Sequence, residues 1–241
     1  MKKRILITGG TGDLGRALAQ SLDDGDSCIY LQGFRHLEAA QGLAEKSGNI
    51  RVLSADLSDG GQTQALIRQV QQEGPLTHFV HLPALRVVNT RFAQFDAERF
   101  ERDFSVQVRS ALQLCQAFVP DMAKARFGRV LFVLTGYLLG LPPKNVAAYV
   151  TTKSALQGLA RSLAADYAAK GVTVNCVAPA MVETAFLADT SELIVQASAR
   201  ANPMGRNAAV EDVVPAMRFL LSEEARFITG VTLPVTGGAQ L

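Results

Sequence analysis

Short apolar stretches alternate along the chain with longer stretches in which apolar residues recur at helical spacing. Several short stretches are apolar at consecutive positions, as in Val130-Leu131-Phe132-Val133-Leu134, which is typical of parallel strands covered on both faces. The predicted strands lie at residues 3–8, 27–32, 50–54, 77–82, 128–135, 171–177 and 231–235. The predicted helices lie at residues 14–22, 36–46, 61–73, 96–123, 148–169 and 210–221, and residues 185–208 form a variable segment.

This order of elements predicts an α/β fold, a doubly wound domain in which helices cover both faces of a mostly parallel, seven-stranded sheet. The chain has 241 residues, of which 48% are apolar, so it can bury one sizeable core. No internal repeat, low-complexity run or long linker interrupts the pattern. We therefore predict a single domain over residues 1–241.

Charge and the first residues of the chain argue against two kinds of partner. The formal charge is +2 and the basic residues are scattered, so nucleic acid is not expected as the main partner. Met1-Lys2-Lys3-Arg4 is similar to the start of a signal peptide, but only Ile5-Leu6-Ile7 follow as an apolar run, which is too short. We expect a cytoplasmic protein without a membrane segment.

The cysteines and histidines do not form a metal-binding pattern. The three cysteines lie far apart in apolar segments, which suits reduced thiols in a core better than disulfides. The three histidines form no ligand cluster with them. These residues are Cys28, Cys115 and Cys176, and His36, His78 and His81.

A glycine-rich turn joins the first predicted strand to the first predicted helix. It reads Gly9-Gly10-Thr11-Gly12-Asp13-Leu14-Gly15. Strand, glycine turn and helix in this order are the context in which such a motif indicates a dinucleotide site. Glycines let the backbone approach a pyrophosphate, whose charge lies at the amino end of the helix. An ordinary strand-to-helix turn is the alternative.

Tyr149 and Lys153 are four residues apart in a predicted helix, so their side chains share one face. At roughly 4–5 Å and an effective dielectric of about 20, the ammonium favours the phenolate by about 3–4 kcal/mol, or about 2–3 pK units. The pair could therefore provide a proton donor near neutral pH. The alternative is a solvated helix face.

A set of motifs in a fixed order resembles the short-chain dehydrogenase/reductase family over essentially the whole chain. Besides the glycine turn and the Tyr149–Lys153 pair, the set comprises Asp56-Leu57, Val174-Asn175-Cys176-Val177-Ala178-Pro179, Glu183-Thr184, Ile228-Thr229-Gly230 and Gly237-Gly238. Asn202-Pro203-Met204-Gly205-Arg206 is most similar to 3-oxoacyl-(acyl-carrier-protein) reductases. The glycine turn and His81 are more similar to ketoreductase domains of polyketide synthases. The resemblance implies a Rossmann-type domain.

The resemblance also implies roles for four candidate catalytic residues. Tyr149 would protonate the forming alkoxide as hydride arrives from the nicotinamide, and Lys153 would lower the pKa of Tyr149 and hold the ribose. The family's carbonyl-polarising serine falls on Thr135, one residue further from the tyrosine than usual; a plain strand-end threonine is the alternative. The family's asparagine, which supports a water relay to the lysine, falls on Gln107, which could instead only pack.

The resemblance implies four sets of cofactor contacts. Asp56 would bind the adenine amino group with Leu57 offering backbone, or Asp56 is an ordinary turn aspartate. The family's Asn-Asn-Ala-Gly reads His81-Leu82-Pro83-Ala84 here, so backbone near His81 and Pro83 should line the cofactor, and His81 is interpreted as structural rather than as an acid or base. Residues near the nicotinamide carboxamide would be Pro179, Val182 and Thr184. The phosphate loop would supply Gly9, Thr11, Gly12, Asp13, Leu14 and Gly15.

The end of the second predicted strand bears on the choice of cofactor. Enzymes that use NAD usually carry an acidic residue there, but neither Gln32 nor Gly33 is acidic. Arg35 follows at a position where related reductases place an arginine, and a guanidinium suits a 2′-phosphate. NADP(H) is therefore the expected cofactor.

The expected function is NADPH-dependent reduction of a 3-oxoacyl thioester on an acyl carrier protein, in fatty-acid or polyketide assembly. Arg129 and Lys170 are candidate contacts for an acidic carrier protein beside the active site. The apolar segment 185–208 is expected to be a substrate lid. The resemblance also suggests a homodimer or homotetramer packed through helices 96–123 and 148–169. The alternatives are a reductase or dehydrogenase of a small free ketone or alcohol, and a nucleotide-binding protein without catalysis.

Overall fold

The computed structural model describes residues 2–239 of the protein. Across this range the chain forms a seven-stranded sheet in which neighbouring strands are all parallel. The strands are β1 (Arg4–Thr8), β2 (Cys28–Gly33), β3 (Ile50–Ser54), β4 (His78–His81), β5 (Gly128–Val133), β6 (Val172–Pro179) and β7 (Thr232–Val235). The α-helices are α1 (Asp13–Leu22), α2 (Glu38–Lys46), α3 (Gly60–Gln72), α4 (Ala97–Phe104), α5 (Ser110–Lys124), α6 (Ala147–Tyr167), α7 (Glu192–Ala201) and α8 (Val210–Leu221).

The spatial order of the strands is β3-β2-β1-β4-β5-β6-β7. From β1 the chain moves outward through β2 and β3, and then returns to continue on the other side of β1. In open parallel sheets, ligands bind beside the carboxyl ends of the strands where the order reverses, which here is between β1 and β4. At this edge Thr8 is in register with both Gln32 and His81. The Rossmann-type doubly wound fold expected from the sequence is confirmed.

Successive residues of β1 belong to opposite faces of the sheet. Ile5 and Ile7 pack with residues of α1 and α8, whereas Leu6 packs with residues of α3, α5 and α6. All three side chains are fully buried, and burying each one contributes about 1.5–3 kcal/mol to stability. Because both faces are covered, consecutive positions are apolar, which is the pattern seen in the sequence.

The predicted helix at 96–123 differs from the observed structure. The chain forms α4 and α5 with a π-helical stretch, Ser105–Arg109, between them. A π turn widens the helix by one residue and is common at functional sites. Gln107 lies in this stretch and is fully buried. The predicted strand at 128–135 ends earlier, at Val133, so that Thr135 lies in the loop beyond it.

The variable segment at 185–208 contains a 3-10 turn, Ala185–Leu187, and the helix α7. Its role as a lid stays a prediction. The three cysteines are unpaired, as expected, and Cys115 and Cys176 are buried. Within residues 2–239, no helix has both the length and the apolar character needed to cross a membrane.

Candidate active site

A cleft of about 1550 Å³ opens along the carboxyl edge of the sheet. Most residues predicted for the site line it. From the phosphate loop and the adenosine side these are Gly9, Thr11, Gly12, Asp13, Leu14, Gly15, Arg35, Asp56, Leu57 and Pro83. From the catalytic side they are Thr135, Tyr149, Lys153, Pro179, Val182 and Thr184. Gln107 and His81 do not line the cleft, because both are buried behind it.

The phosphate loop has a shape that only glycine permits at two positions. Gly9 has φ +65°, and a Cβ atom there would lie 2.8 Å from the backbone nitrogen of Pro83. A Cβ atom at Gly15 would lie 2.5 Å from Cα of Gly10. The loop leads into the amino end of α1, whose first backbone N–H groups have no partner within a helix. This cradle fits the pyrophosphate of a dinucleotide.

Asp13 connects the phosphate loop to the segment at 185–208. Its carboxylate forms a 2.6 Å ion pair with Arg16 and accepts a 2.8 Å hydrogen bond from the backbone N–H of Ala185. Arg16 also donates to the carbonyl oxygen of Thr11. The carboxylate at this helix end is therefore balanced by a guanidinium, and it fixes the start of the segment over the cleft.

Lys153 is 2% exposed and lies against the end of β5. Its Nζ donates a 2.8 Å hydrogen bond to the carbonyl oxygen of Val133 and lies 5.9 Å from the ring centroid of Tyr149. Burial lowers the pKa of Lys153 to about 8, while Asp103 and Cys176 act to raise it. The amine is therefore mostly protonated at neutral pH.

Tyr149 lies on the same face of α6 as Lys153, and its side chain is partly accessible to solvent. Burial raises the pKa of its phenol to about 12, the Thr135 side chain lowers it, and Tyr137 and Asp103 raise it further. The expected lowering of the Tyr149 pKa by Lys153 is not met in this structure. The physical reason is that burial, the largest influence on this phenol, disfavours its charged form.

Thr135 follows β5 and starts the 3-10 turn Gly136–Leu138. Its Oγ1 accepts a hydrogen bond from the backbone N–H of Tyr137, which leaves the hydroxyl hydrogen free to donate. The Thr135 side chain acts to lower the Tyr149 pKa, and both residues line the cleft. Thr135 is thus placed to polarise a carbonyl oxygen that approaches Tyr149.

Tyr137 is a site residue that the sequence reasoning missed. It lines the cleft, and its ring meets that of Tyr149 edge to face with the centroids 6.3 Å apart. Burial raises the pKa of Tyr137, so it remains a neutral phenol. Its only signal in the sequence is a tyrosine two residues after Thr135, which does not show by itself that the two rings meet.

His81 is held between two elements by both ring nitrogens. Nε2 lies 2.8 Å from the carbonyl oxygen of Gln107, and Nδ1 lies 2.7 Å from Oγ1 of Thr8. A carbonyl oxygen only accepts, so Nε2 carries the proton and Nδ1 accepts from the hydroxyl. Burial lowers the pKa of His81 to about 3, so the ring is neutral. The structure favours the structural interpretation of His81 and contradicts its assignment as a cofactor-lining residue; Leu82, Pro83 and Ala84 line the cleft instead.

Asp103 is the second residue that the sequence reasoning missed. It is 8% exposed and lies one helical turn before Gln107. Its Oδ1 accepts a 2.7 Å hydrogen bond from Nε2 of Gln107 and a 3.2 Å hydrogen bond from the backbone N–H of Leu85. An acidic residue four positions before a candidate relay residue was the available signal, because such a pair shares one helix face.

Polar residues at the expected adenosine end of the cleft hold the loops that surround it. Gln32 is buried, accepts from the backbone N–H of Gly9 and donates to the carbonyl oxygen of Ala55, so it braces the loop. Oδ1 of Asp56 holds a turn by accepting from the backbone and hydroxyl of Ser58. Arg35 is exposed at this end, with its guanidinium 5.3 Å from the ring centroid of Phe34.

Arg129 and Lys170 are not beside the active site. Arg129 is 3% exposed, lies 3.2 Å from the carboxylate of Glu223 and packs over the ring of Phe127. It is at the amino end of β5, and Lys170 directly precedes the amino end of β6. Because the candidate active site lies at the carboxyl ends, the expectation that these two residues lie beside it is wrong. The sequence motifs did not show that Arg129 and Lys170 lie at the amino end of the sheet, or that Arg129 is buried.

Comparisons with known proteins agree with this geometry. The family model described as enoyl-(acyl carrier protein) reductase matches residues 11–240. Acetoacetyl-CoA reductase of Allochromatium vinosum is 28% identical over 99% of this chain and 98% of its own length. The 3-oxoacyl-[acyl-carrier-protein] reductase FabG of Haemophilus influenzae is 30% identical over 99% of this chain and 98% of its own length. A solved short-chain dehydrogenase/reductase family protein superposes with a TM-score of 0.88 at 27% identity, covering 99% of this chain and 97% of that one.

A parallel sheet with a dinucleotide cradle and a Tyr149–Lys153 pair at one edge defines an oxidoreductase that acts on CH–OH groups with a nicotinamide cofactor. The chain belongs to the short-chain dehydrogenase/reductase family. The family resemblance expected from the sequence, including the similarity to 3-oxoacyl-(acyl-carrier-protein) reductases, is confirmed.

Proposed function

We propose that the protein is an NADPH-dependent ketoreductase whose substrate is a 3-oxoacyl thioester carried by an acyl carrier protein. The nicotinamide, when bound, supplies the hydride. The protein's own residues receive the carbonyl, orient it and give the proton that completes the alcohol. Fatty-acid or polyketide assembly in the cytoplasm is the setting that we propose, with a homodimer or homotetramer as the working form.

In the proposed reaction, Tyr149 is the proton donor. With a pKa of about 12, its phenol is protonated at neutral pH and can donate to an alkoxide oxygen. Thr135 donates its free hydroxyl hydrogen to the same oxygen, which polarises the ketone before the transfer. Lys153 presents a buried ammonium at the end of β5, where it can hold the ribose hydroxyls.

The observation that carries the proposed substrate class is the apolar part of the cleft wall that the 185–208 segment contributes. Phe186, Leu187, Leu193 and Ile194 line the cleft together with the catalytic residues. Leu193 is 78% exposed and Ile194 is 44% exposed, so both have apolar surface available for a ligand. Each buried methylene of an acyl chain contributes about 0.8 kcal/mol, so this wall favours chains over small ketones.

The preference for NADP(H) is supported by arginines at the adenosine end. Arg35 and Arg102 both line the cleft, and neither forms a salt bridge in the described part of the chain. Two uncompensated guanidinium groups favour a phosphate there. The buried Gln32 replaces the acidic residue that would repel it.

The experiment is a panel of ketones tested for NADPH oxidation. It includes 3-oxoacyl carrier proteins of increasing acyl length, the same acyl groups on a short thioester mimic, and small free ketones. The proposal expects turnover to rise with acyl length and to be greatest on the carrier protein. Turnover confined to free ketones would favour the small-ketone reductase, and tight NADPH binding without any oxidation would favour the non-catalytic binding protein.

A further inference from the structure

The cleft segment, residues 183–208, follows β6 and is closed at its base by hydrogen bonds between its two ends. The backbone N–H of Glu183 donates to the carbonyl oxygen of Ala208 over 2.9 Å, and the N–H of Ala208 donates to the carbonyl oxygen of Met181 over 3.0 Å. The side-chain amide of Asn207 adds a 3.1 Å hydrogen bond to the Glu183 carboxylate. The base is therefore fixed, and the position of the segment over the cleft depends on contacts that lie further along it.

The first of these contacts comes from the phosphate loop. Asp13, the first residue of α1, accepts a 2.8 Å hydrogen bond from the backbone N–H of Ala185 through Oδ2. Its Oδ1 forms the ion pair with Arg16, 2.6 Å away. The two oxygens are thus divided between the helix and the cleft segment. Asp13 therefore joins the loop that fits a pyrophosphate directly to the start of the cleft segment.

The charge of Asp13 is unfavourable for a phosphate site. A carboxylate at the amino end of α1 repels a pyrophosphate bound to the same loop, and the ion pair with Arg16 offsets this repulsion only in part. Within residues 2–239, the hydrogen bonds of the carboxylate go to Arg16 and to Ala185. The bond to Ala185 is therefore the contact through which this carboxylate acts outside its own loop and helix.

The second contact joins two walls of the cleft. Arg86 follows β4 and lines the cleft, and its guanidinium forms an ion pair with Asp189, 103 positions further along the chain. Leu187 and Thr190, close to Asp189 on either side, line the cleft as well. The carbonyl oxygen of Arg86 accepts a 2.9 Å hydrogen bond from Arg99, which fixes the backbone from which the guanidinium extends. The two paired side chains are 46% and 72% exposed, so salt screens this ion pair.

We propose that Asp13 and the Arg86–Asp189 ion pair are two latches that hold the cleft segment over a bound nicotinamide dinucleotide and slow its release. When the latches open, the segment moves about its fixed base and the dinucleotide leaves. Each latch is a single bond, so each changes the release rate by a small factor and the two act together. The inference requires the nicotinamide cofactor of the family but not the proposed ketone substrate, because all of these contacts lie between residues of the chain itself.

The experiment at Asp13 measures the rate at which NADPH leaves the protein, by stopped-flow displacement with the fluorescence of bound NADPH as the signal. Asp13→Asn and Asp13→Ala both remove the charge, but the asparagine keeps an oxygen that accepts from the Ala185 N–H. Release from Asp13→Ala should therefore be about two- to tenfold faster than release from Asp13→Asn, which is the usual net contribution of a hydrogen bond. Equal rates in the two variants would overturn the latch at Asp13.

At the second latch, Asp189→Asn should speed NADPH release about two- to fivefold at low salt. The ratio of its rate to that of the unaltered protein should approach one at about 1 M salt, where the ion pair is screened. The exchanged pair Arg86→Glu/Asp189→Lys should release NADPH more slowly than Asp189→Lys alone. Glu192→Gln is the matched control, because Glu192 is an exposed carboxylate of the same segment that bonds to Gln196 within α7. Equal release rates in Asp189→Asn and Glu192→Gln at low salt would overturn the latch at Asp189.

Hydrogen exchange of the backbone amides tests the same latches without any cofactor. Peptides that cover residues 185–191 should exchange faster in Asp13→Ala and in Asp189→Asn, whereas Glu183 and Ala208 in the base keep their protection. Faster exchange at the base as well would contradict the fixed base, and unchanged exchange at residues 185–191 would contradict the latches. Neither measurement uses a ketone, so an absence of reductase activity would not affect the test, and a failure of the latches would leave the proposed reaction in place.

Discussion

The rings of Tyr137 and Tyr149 meet edge to face across the cleft, with their centroids 6.3 Å apart. Tyr137 also raises the pKa of Tyr149 and lines the same cleft. The two phenols therefore occupy one site, but only Tyr149 shares a helix face with Lys153. This relationship provides a matched pair of tyrosine-to-phenylalanine variants.

We expect Tyr149→Phe to lower kcat by about 10²–10⁴-fold, which is the usual contribution of general acid catalysis. Tyr137→Phe keeps the edge-to-face packing and should keep kcat within about threefold, since aromatic pairs contribute only about 0.5–1.5 kcal/mol beyond their burial. Steady-state kinetics and NADPH binding measured by fluorescence titration check both variants. Equal losses in the two variants would show that Tyr149 is not the specific proton donor.

We expect the Thr135 hydroxyl to contribute more to kcat than the Thr135 methyl group does. Thr135→Ser keeps the hydroxyl donor in the cleft and is expected to retain activity. Thr135→Val keeps the shape and removes the donor, so kcat should fall by about 10²-fold or more, as for other groups that stabilise an oxyanion. Steady-state kinetics of the two variants measures this difference. Similar kcat values in the serine and valine variants would show that Thr135 shapes the loop and does not donate a hydrogen bond to the substrate.

Arg35 should discriminate between the two nicotinamide cofactors. In Arg35→Met the dissociation constant of NADPH is expected to rise about tenfold or more, because a charge-assisted bond to the 2′-phosphate is lost. The dissociation constant of NADH should change little, since NADH carries no such phosphate. Arg68→Met on the exposed side of α3 is the control. Equal weakening of both cofactors would count against a 2′-phosphate site at Arg35.

If a carrier protein docks on this enzyme, we propose that it contacts the entrance of the cleft rather than the amino end of the sheet. Lys144 is exposed and lines the cleft. In Lys144→Glu, KM for a 3-oxoacyl carrier protein should rise about tenfold, while KM for the matching short thioester stays unchanged, because charge reversal affects only an acidic protein partner. Lys170→Glu, at the opposite edge, should change neither value. A rise of both KM values in Lys144→Glu would place the lysine in the acyl site instead.

Acidification should destabilise the fold through His81. Its folded-state pKa is lowered by burial to about 3, whereas an unfolded histidine keeps a pKa of about 6.5. As pH falls, the unfolded state binds a proton on this histidine before the folded state does. The free energy of unfolding is therefore highest above about pH 6.5 and decreases as pH falls towards 3. At pH 5 the loss due to His81 is about 2 kcal/mol. The free energy of unfolding is measured in urea at pH 7 and at pH 5. Its decrease between the two pH values should be about 2 kcal/mol smaller in His81→Asn than in the unaltered protein. His36→Asn at the surface should behave like the unaltered protein.

The sequence alone determined the features that depend on local pattern. Consecutive apolar residues predicted strands buried on both faces, the glycine turn predicted the phosphate loop, and the four-residue spacing of Tyr149 and Lys153 predicted one shared face. These properties follow from backbone geometry within a few residues. The ordered set of such motifs was also enough to indicate the family.

The tertiary structure decided the features that depend on distance across the fold. Asp103, Tyr137 and His81 acquire their contacts from elements far along the chain, and the burial of Arg129 follows from Phe127 and Glu223 packing around it. Desolvation, which sets the pKa values of Lys153 and Tyr149, is likewise a property of everything that surrounds a side chain. Neighbours in sequence therefore indicate the candidate proton donor, whereas only neighbours in space show what surrounds the lysine beside it.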